Sequence, residues 1–284
     1  MIAVIGLGLI GGSISQELKA QGHQVIGVDK NAKHAARALE LNLVSSILEL
    51  DQALVEAETV IVCVPVNTLE TIIPQILDLI REDQVVLDVG STKLSICNAV
   101  LNHRNRKQFV ACHPMAGTEH SGPDAALMGL FRGKKNIICE KDRSSEEAVL
   151  SAIKIFNQLG MESYFMEAEE HDKHMAFVSH LSHVSSFALS KTVLEIEKDE
   201  KQIFNLASTG FESTARLAKC NPDTWTAIFS KNKNFLSQAL EAYIDQMQQF
   251  KKLLDELNLE AMHEAIVEAN QIERVLKGIK LNRS

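Results

Sequence analysis

Short apolar runs alternate with longer stretches of mixed polarity along the first 166 residues. Apolar runs bounded by glycine, proline or polar residues predict β-strands, and the stretches between them carry the helical period. Strands are expected over 2–5, 25–28, 59–64, 84–89, 109–112, 136–140 and 163–166, and helices from residue 9 and over 31–41, 68–80, 91–101 and 145–159. Nearly continuous apolar strands with helices between them predict a mostly parallel sheet covered on both faces.

The remainder of the chain predicts a helical region. Four of the five prolines and twelve of the fourteen glycines lie at or before Gly160. Residues 167–197 and 231–257 carry apolar residues at helical spacing. The first of these stretches is apolar around most of its circumference, which indicates burial within its own domain or against another subunit. We therefore expect an α/β domain over 1–166, an all-helical domain over 167–284, and a dimer held together by these helices.

The first strand leads directly into a glycine-rich turn. Residues 1–12 read MIAVIGLGLIGG, so that Gly6, Gly8 and Gly11 form a G-x-G-x-x-G pattern between a strand and a helix. Eighteen residues after Gly11, the next strand ends in Asp29. The glycine pattern alone is a weak signal. With this strand, helix and acidic residue around it, the pattern is typical of a Rossmann-type dinucleotide-binding unit.

Each position of this motif has a physical role. Gly6 permits the tight turn, Gly8 lets backbone amides approach a pyrophosphate, and Gly11 lets the helix pack closely on the sheet. The amino terminus of that helix presents unpaired N–H groups and a partial positive charge to the phosphates. Asp29 would accept hydrogen bonds from the adenosine ribose and repel a 2′-phosphate, so the motif favours NAD over NADP.

Ligands of an open parallel sheet bind beyond the carboxyl ends of its strands. Further cofactor contacts are therefore expected at and just beyond the carboxyl ends of the strands, at Leu9, Ile10, Val64, Pro65 and Ser91.

A histidine and a proline follow the strand at 109–112. Pro114 favours an extended backbone at His113, which directs the imidazole off the strand end. A neutral imidazole there can take a proton from a hydroxyl while a hydride leaves the same carbon; the alternative is a structural histidine that fixes a loop. Ser91, at the end of another strand, can cap its helix or hydrogen-bond the histidine or the nicotinamide ring, and these roles are compatible.

The helical half contains one isolated arginine. Between Arg143 and Arg274 the only arginine is Arg216. A guanidinium binds a carboxylate through two parallel hydrogen bonds and keeps its charge, although a solitary arginine is more often a surface charge. Ser179 and His183 are four residues apart, share a helical face and are candidates to point into the same cleft.

Two histidine pairs at 171/174 and 180/183 have the i,i+3 spacing that can bring two ligands to a metal. No acidic or cysteine residue is arranged as an obvious third ligand, so we expect no metal site.

Composition limits the possible partners. The chain has 284 residues, 45% of them hydrophobic, and a formal net charge of −8. This charge argues against nucleic acid or an anionic membrane as a partner, and an anionic substrate would need a local positive site. No apolar run reaches the length of a membrane span, and the opening strand leaves no room for a signal peptide. Five cysteines without a C-x-x-C spacing fit a reduced cytoplasm.

Five segments together resemble the prephenate dehydrogenase family. They are GLGLIGGS at 6–13, DVGSTK at 88–93, HPMAGTEHSG at 113–122, VSHLSH at 178–183 and GFESTAR at 210–216. The resemblance implies NAD-dependent oxidation of prephenate to 4-hydroxyphenylpyruvate with loss of carbon dioxide, in tyrosine biosynthesis. Arogenate dehydrogenase is the close alternative. A catalytically silent NAD-sensing dimer is a more distant alternative, because it has no reason to keep His113, Ser91 and Arg216 together. A reductase for an imine or a small hydroxy acid is an alternative that the fold alone does not exclude, although the segment at 113–122 argues against it.

The resemblance also implies roles for individual residues. His113 would hydrogen-bond the ring hydroxyl with Ser91 assisting, and Arg216 would bind a substrate carboxylate. Further substrate contacts would come from Thr118, Glu119, Ser179 and His183. Some relatives carry an acidic residue three positions before the arginine and form a charged gate with carboxylates that correspond to Glu119 and Asp172. Here that position is Ser213, which leaves the gate in question.

Overall fold

A computed structural model of the chain describes residues 1–198, 206 and 208–281. Its contacts form two compact units, residues 1–232 and a second unit that begins at Lys233. The helical domain expected over 167–284 includes positions 199–205, 207 and 282–284, which lie outside the described residues. None of the helices in the described ranges is long and apolar enough to cross a membrane.

One sheet forms the centre of the first unit. Its strands are β1 (Ile2–Ile5), β2 (Val25–Val28), β3 (Ser46–Ile47), β4 (Thr59–Val62), β5 (Val85–Asp88), β6 (Phe109–Pro114), β7 (Lys135–Cys139) and β8 (Glu162–Met166). The spatial order is β3-β2-β1-β4-β5-β6-β7-β8. All neighbouring pairs are parallel except β6 and β7. The predicted mostly parallel sheet is therefore confirmed, and the strand order reverses between β1 and β4, where such sheets bind ligands.

Helices connect the strands and follow the sheet. They are α1 (Leu9–Ala20), α2 (Ala32–Glu40), α3 (Leu50–Glu56), α4 (Val66–Leu79), α5 (Leu94–Val100), α6 (Glu146–Gln158), α7 (Ala168–Met175), α8 (Leu181–Glu197), α9 (Thr209–Ala215) and α10 (Pro222–Lys231). In the second unit they are α11 (Lys233–Asp255), α12 (Leu259–Ala269) and α13 (Glu273–Leu281). The predicted helical second half is confirmed.

The core lies on both faces of the sheet. In β1, Ala3 and Ile5 join the apolar cluster that α3, α4 and α5 cover. Ile2 and Val4 join the cluster that α1, α2 and α6 cover. Successive side chains of a strand point to opposite faces, so two covered faces bury all four of these residues and explain the continuous apolar run in the sequence.

Several element boundaries differ from the expected ones. The short β3 and α3 were not expected at all, and the helix expected over 91–101 begins only at Leu94. A π-helical turn at Ala176–His180 interrupts the helix expected over 167–197, and α11 begins at Lys233 rather than at 231. Within the single chain, Val178 of the π-helical turn is 67% exposed. The sequence left two alternatives for this helix, burial within its own domain or burial against another subunit. The first alternative is wrong at Val178.

The strand that carries His113 is longer than expected. β6 continues through Pro114 because β7 pairs with it in the antiparallel direction, with His113 opposite Ile137. In the parallel pairing on the other side, Asp88 at the end of β5 lies opposite Ala111. His113 therefore lies two residues, or roughly 6–7 Å, beyond the end of β5 and not beyond the end of its own strand.

Candidate active site

The glycine-rich turn after β1 is as tight as its sequence suggests. Gly6 has a φ of +91°, and a Cβ built there would lie 2.6 Å from the carbonyl oxygen of Cys63. A Cβ on Gly11 would lie 1.9 Å from the carbonyl oxygen of Gly6. Both contacts are with backbone, so a larger side chain at either position would force β1, α1 and the end of β4 apart.

Gly8 has a different environment. A Cβ on Gly8 would meet no atom within 4 Å, so no contact within the described residues requires glycine there. Gly8 is the N-cap of α1 and supplies no side-chain cap. The amides of the first turn, which contains Leu9 and Ile10, are therefore available to an anion, and the open space at Gly8 fits a pyrophosphate.

Asp29 lies beside this turn. Its Oδ2 accepts a hydrogen bond of 2.8 Å from the Leu7 amide, and its Oδ1 accepts one of 2.8 Å from the Asn31 amide. These bonds fix the carboxylate at the carboxyl end of β2, where an adenosine ribose is held in folds of this kind. On the other side of the turn, Val64 lies 3.2 Å from the Cβ position of Gly6, and exposed Pro65 precedes α4. The described residues thus fit a dinucleotide such as NAD.

Ser91 lies half-buried in the loop between β5 and α5. It does not cap the helix, because α5 begins three residues later and has no cap from its own N-cap side chain. Among the described residues the Ser91 hydroxyl has no hydrogen-bond partner. Of its two expected roles, the cap is therefore wrong, and the contact with the histidine or the nicotinamide stays a prediction.

A buried ion pair joins the two ends of the loop that contains Ser91. Asp88 and Lys93 are both fully buried and form a salt bridge. The Lys93 ammonium also donates a hydrogen bond of 2.7 Å to the carbonyl of Cys112, the residue before His113. The pair therefore ties the end of β5, the Ser91 loop and β6 together. The sequence contains both residues within the DVGSTK segment, but nothing in the spacing showed that they pair.

His113 is buried, with 9% of its surface exposed, and its ring contacts a second histidine. The Nδ1 atom of His113 lies 2.8 Å from Nε2 of His171, and Nδ1 of His171 lies 2.8 Å from Oδ1 of Asp172. Burial lowers the pKa of His113 well below its usual 6.5, and the neighbouring His171 and Lys93 lower it further. The imidazole is therefore neutral near pH 7, as a proton acceptor must be.

Asp172 holds this histidine pair to the Ser91 loop. Its Oδ1 accepts a hydrogen bond of 2.8 Å from the Lys93 amide, and its Oδ2 accepts one of 2.9 Å from the Leu94 amide. Asp172 thus caps α5 from α7, the role first considered for Ser91. Only 2% of Asp172 is exposed, so it does not take part in a surface gate with Arg216.

A second cluster lies around Arg216, which begins a 3₁₀ turn at Arg216–Lys219. Its Nη1 atom lies 4.0 Å from Oε2 of Glu119, and the two side chains are 54% and 28% exposed. The pKa of Glu119 is lowered, chiefly by its own backbone amide and also by His120 and Arg216. The Ser213 hydroxyl donates to the Gly210 carbonyl at 3.0 Å. At the place of the charged gate, the described residues therefore contain one long ion pair between Arg216 and Glu119, and Ser213 adds no charge to it.

His183 completes this cluster. Its ring is stacked on Trp225, and its Nδ1 atom lies 2.9 Å from the carbonyl oxygen of Ser179. Burial lowers the pKa of His183, and Arg216 lowers it further. His183 thus contacts the backbone of Ser179, and a common cleft for the two side chains stays a prediction. Thr118, one residue before Glu119, accepts a hydrogen bond of 3.2 Å from the His120 amide and shapes that loop.

Asn232 and Trp225, for which the sequence predicted no role, connect the two clusters through His180. Asn232 donates a hydrogen bond of 2.7 Å to the Asp172 carbonyl, and its side-chain nitrogen lies 3.0 Å from Nδ1 of His180. The His180 ring meets Trp225 edge-on, with centroids 6.0 Å apart. The histidine pairs at 171/174 and 180/183 are therefore occupied by other contacts, apart from exposed His174. In the described part of the chain, no group of three or more metal-binding side chains is placed to hold an ion.

Two family models match the chain. Residues 14–165 match the nucleotide-binding domain of prephenate dehydrogenase. Residues 167–268 match the dimerization domain of prephenate dehydrogenase.

Individual relatives carry related names. A cyclohexadienyl dehydrogenase of Zymomonas mobilis is 29% identical over 280 residues, which cover 97% of this chain and 96% of the relative. A crystal structure of prephenate dehydrogenase from A. aeolicus, in complex with hydroxyphenyl propionate and NAD+, has a TM-score of 0.88 at 28% identity and covers 96% of each chain. A crystal structure of Synechocystis arogenate dehydrogenase has a TM-score of 0.79 at 26% identity, covering 97% of this chain and 99% of that one.

Proposed function

We propose, since the chain belongs to the prephenate dehydrogenase family, that it catalyses the oxidative decarboxylation of prephenate to 4-hydroxyphenylpyruvate. It is an NAD-dependent oxidoreductase. NAD, when bound, supplies the acceptor for the hydride that leaves the substrate ring. The turn containing Gly6, Gly8 and Gly11 would hold its pyrophosphate and Asp29 its adenosine ribose, with Leu9, Ile10, Val64, Pro65 and Ser91 as further contacts.

The observation that carries this proposal is the state of His113. It is a buried, neutral imidazole beyond the end of β5, and its Nδ1 atom is already engaged by His171. Its Nε2 atom is therefore the nitrogen left to accept a proton. A base in this place serves the oxidation of a secondary alcohol, because the hydroxyl must lose its proton as the carbon loses hydride.

The chain's own groups account for the rest of the reaction. His113 takes the proton of the ring 4-hydroxyl, and Ser91 assists by a hydrogen bond to His113 or to the nicotinamide ring. Because the same ring carbon loses its hydride, that carbon becomes a carbonyl. The ring then loses carbon dioxide, and the electrons of the broken carbon–carbon bond move into the ring and onto the carbonyl oxygen. His113 returns its proton to that oxygen, which gives the phenol. Aromatisation makes this sequence effectively irreversible.

Substrate binding falls to the cluster around Arg216. Prephenate is a dianion and the protein is acidic, so a local cation is needed. The Arg216 guanidinium meets only one carboxylate in the described residues, at 4.0 Å, and is half-exposed, which leaves its donors for a substrate carboxylate. Thr118, Glu119, Ser179 and His183 are proposed as the other substrate contacts.

L-arogenate is the second candidate substrate, and Glu119 is the observation in its favour. Arogenate replaces the keto group of the prephenate side chain with an ammonium group. Glu119 places a carboxylate beside Arg216, a pairing that suits a side chain with both an ammonium and a carboxylate. The similarity to the Synechocystis arogenate dehydrogenase also supports this candidate.

A two-by-two assay tests the proposal. Initial rates of reduced-cofactor formation are measured with prephenate and with L-arogenate, each with NAD and with NADP, and the product is identified chromatographically. The proposal predicts the highest kcat/KM for prephenate with NAD and release of 4-hydroxyphenylpyruvate. A higher kcat/KM for arogenate selects the second candidate, and no turnover of either substrate contradicts both.

We also propose a homodimer formed through residues 167–284, with the α/β domain ending near Met166. The dimerization-domain match over 167–268 supports it. So do large apolar side chains that are exposed in the single chain, among them Phe177, Val178, Leu194 and Ile196. Light scattering on the purified protein tests the mass. The cytoplasm is the proposed location because the five cysteines are free thiols.

A further inference from the structure

The strongest unassigned feature is the line of hydrogen bonds from His113 through His171 to Asp172. The three side chains are buried, and the two contacts between them are both 2.8 Å long. From the sequence alone, His171 was a candidate only for metal binding and Asp172 only for a charged gate. Neither role accounts for the two contacts of the His171 ring, one with His113 and one with Asp172.

The protonation pattern of this line follows from its end. The Asp172 carboxylate accepts hydrogen bonds from two backbone amides, which fixes its position and leaves it as an acceptor. His171 Nδ1 must therefore carry a hydrogen. A neutral His171 then presents a lone pair at Nε2, which faces Nδ1 of His113. Nδ1 of His113 must carry a hydrogen in turn, so the lone pair of His113 is on Nε2.

We propose that His171 and Asp172 are positioning residues that hold His113 in the tautomer with a free Nε2. This inference rests on the proposed function for its consequence, the deprotonation of the substrate hydroxyl. When Nε2 takes that proton, His113 becomes an imidazolium, and the hydrogen bond to His171 and the carboxylate beyond it stabilise the new charge.

Asp172 also couples this base to the loop that carries Ser91. The same carboxylate that orders His171 accepts the amides of Lys93 and Leu94, which follow Ser91 by two and three residues. The orientation of the base and the position of the Ser91 loop therefore depend on one buried group. Asn232, the residue that follows α10, holds the backbone of Asp172 by donating a hydrogen bond to the Asp172 carbonyl.

Two substitutions at position 171 separate positioning from packing. His171→Leu removes the acceptor for His113, and we expect kcat to fall by about 10²–10⁴-fold, the contribution of a general base, with the KM values within a few-fold. His171→Gln keeps an acceptor oxygen at similar reach, so it should recover at least about tenfold of that loss. His174→Leu, the same change at an exposed position of α7, is the control. Equal kcat values for the Leu and Gln variants, or a Leu variant close to wild type, would overturn the proposal.

A spectroscopic measurement tests the tautomer without substrate and without a substitution in the line. In wild-type protein labelled with ¹⁵N at the histidine rings, the His113 signals are identified by their loss in His113→Asn. The proposal predicts that Nδ1 of His113 is protonated and Nε2 is not. A His113 ring protonated at Nε2 would refute it. Because no substrate is present, this result stands whichever substrate the enzyme uses, and failure of the proposed function appears only in the rate assay.

Discussion

The imidazole of His183 lies flat on the indole of Trp225, with ring centroids 3.4 Å apart and planes inclined by 22°. Trp225 is held near the start of α10, where the Asn221 side chain caps the helix by accepting the Thr224 amide. The Ser179 carbonyl engages Nδ1 of His183. The stack and this bond together fix the ring and leave Nε2 as the nitrogen that can meet a substrate.

Trp225→Leu should therefore weaken substrate binding. Loss of an aromatic pair is worth about 0.5–1.5 kcal/mol beyond buried area, so we expect KM for prephenate to rise by about 2–10-fold with little change in kcat. Trp225→Phe keeps an aromatic face and should lose less. Steady-state rates measure both variants. A KM that stays constant while Tm falls would show that the stack serves only stability.

Asp29→Ser should change the choice of cofactor. The variant loses the charge that repels a 2′-phosphate and one or both amide contacts with Leu7 and Asn31. We expect KM for NAD to rise by about 10–100-fold, the range of a hydrogen bond to a charged group, and the preference against NADP to shrink. Asp51→Ser, at an exposed position in α3, is the control. A wild-type enzyme that already prefers NADP would contradict the role of Asp29.

Arg216→Ala should act on substrate affinity. The lost carboxylate contact is worth about 1.5–3 kcal/mol, so KM for prephenate should rise by about 10–100-fold. Lys219→Ala removes an exposed cation three residues away and should change KM much less. The ratio of the two KM values is the measurement. If Arg216→Ala loses the dimer or its folded structure while KM holds, the arginine is structural.

The buried histidines make stability depend on pH. Burial lowers the pKa of His180 from 6.5 to about 4. Between these values the unfolded chain binds a proton that the folded chain does not, so the free energy of unfolding decreases as the pH falls. One such histidine contributes at most about 1.4 kcal/mol per pH unit. His180→Gln should therefore reduce the slope seen in urea unfolding between about pH 7 and pH 5. Equal slopes for wild type and variant would show that His180 is not kept neutral.

Most strands of the sheet could be predicted from the sequence, because strands that are buried on both faces are apolar along their length. Four apolar residues in a row, as in β1, leave few alternatives to a parallel strand. β3 has only two residues and α3 only seven, too short for a period to appear. The end of β6 was misjudged because its antiparallel partner β7 is formed by a later part of the chain.

Only part of the candidate site could be predicted from the sequence. The motif residues Gly6, Asp29, His113 and Arg216 stand out by type and spacing. The partner of His113 does not, because 58 residues separate it from His171 and only the folded chain brings the rings to 2.8 Å. Trp225, the single tryptophan of the chain, was the one available signal for the stack on His183. Residue type alone does not say which ring a tryptophan contacts.

The most direct test of the account is the kcat of wild type and His113→Asn for prephenate oxidation at saturating NAD. Asparagine keeps a hydrogen-bonding group but cannot take the proton, so kcat should fall by about 10²–10⁴-fold while the Kd for NAD stays unchanged. His174→Asn, at an exposed position of α7, should match the wild type. A His113→Asn enzyme within a few-fold of wild type would contradict the assignment of His113 as the base.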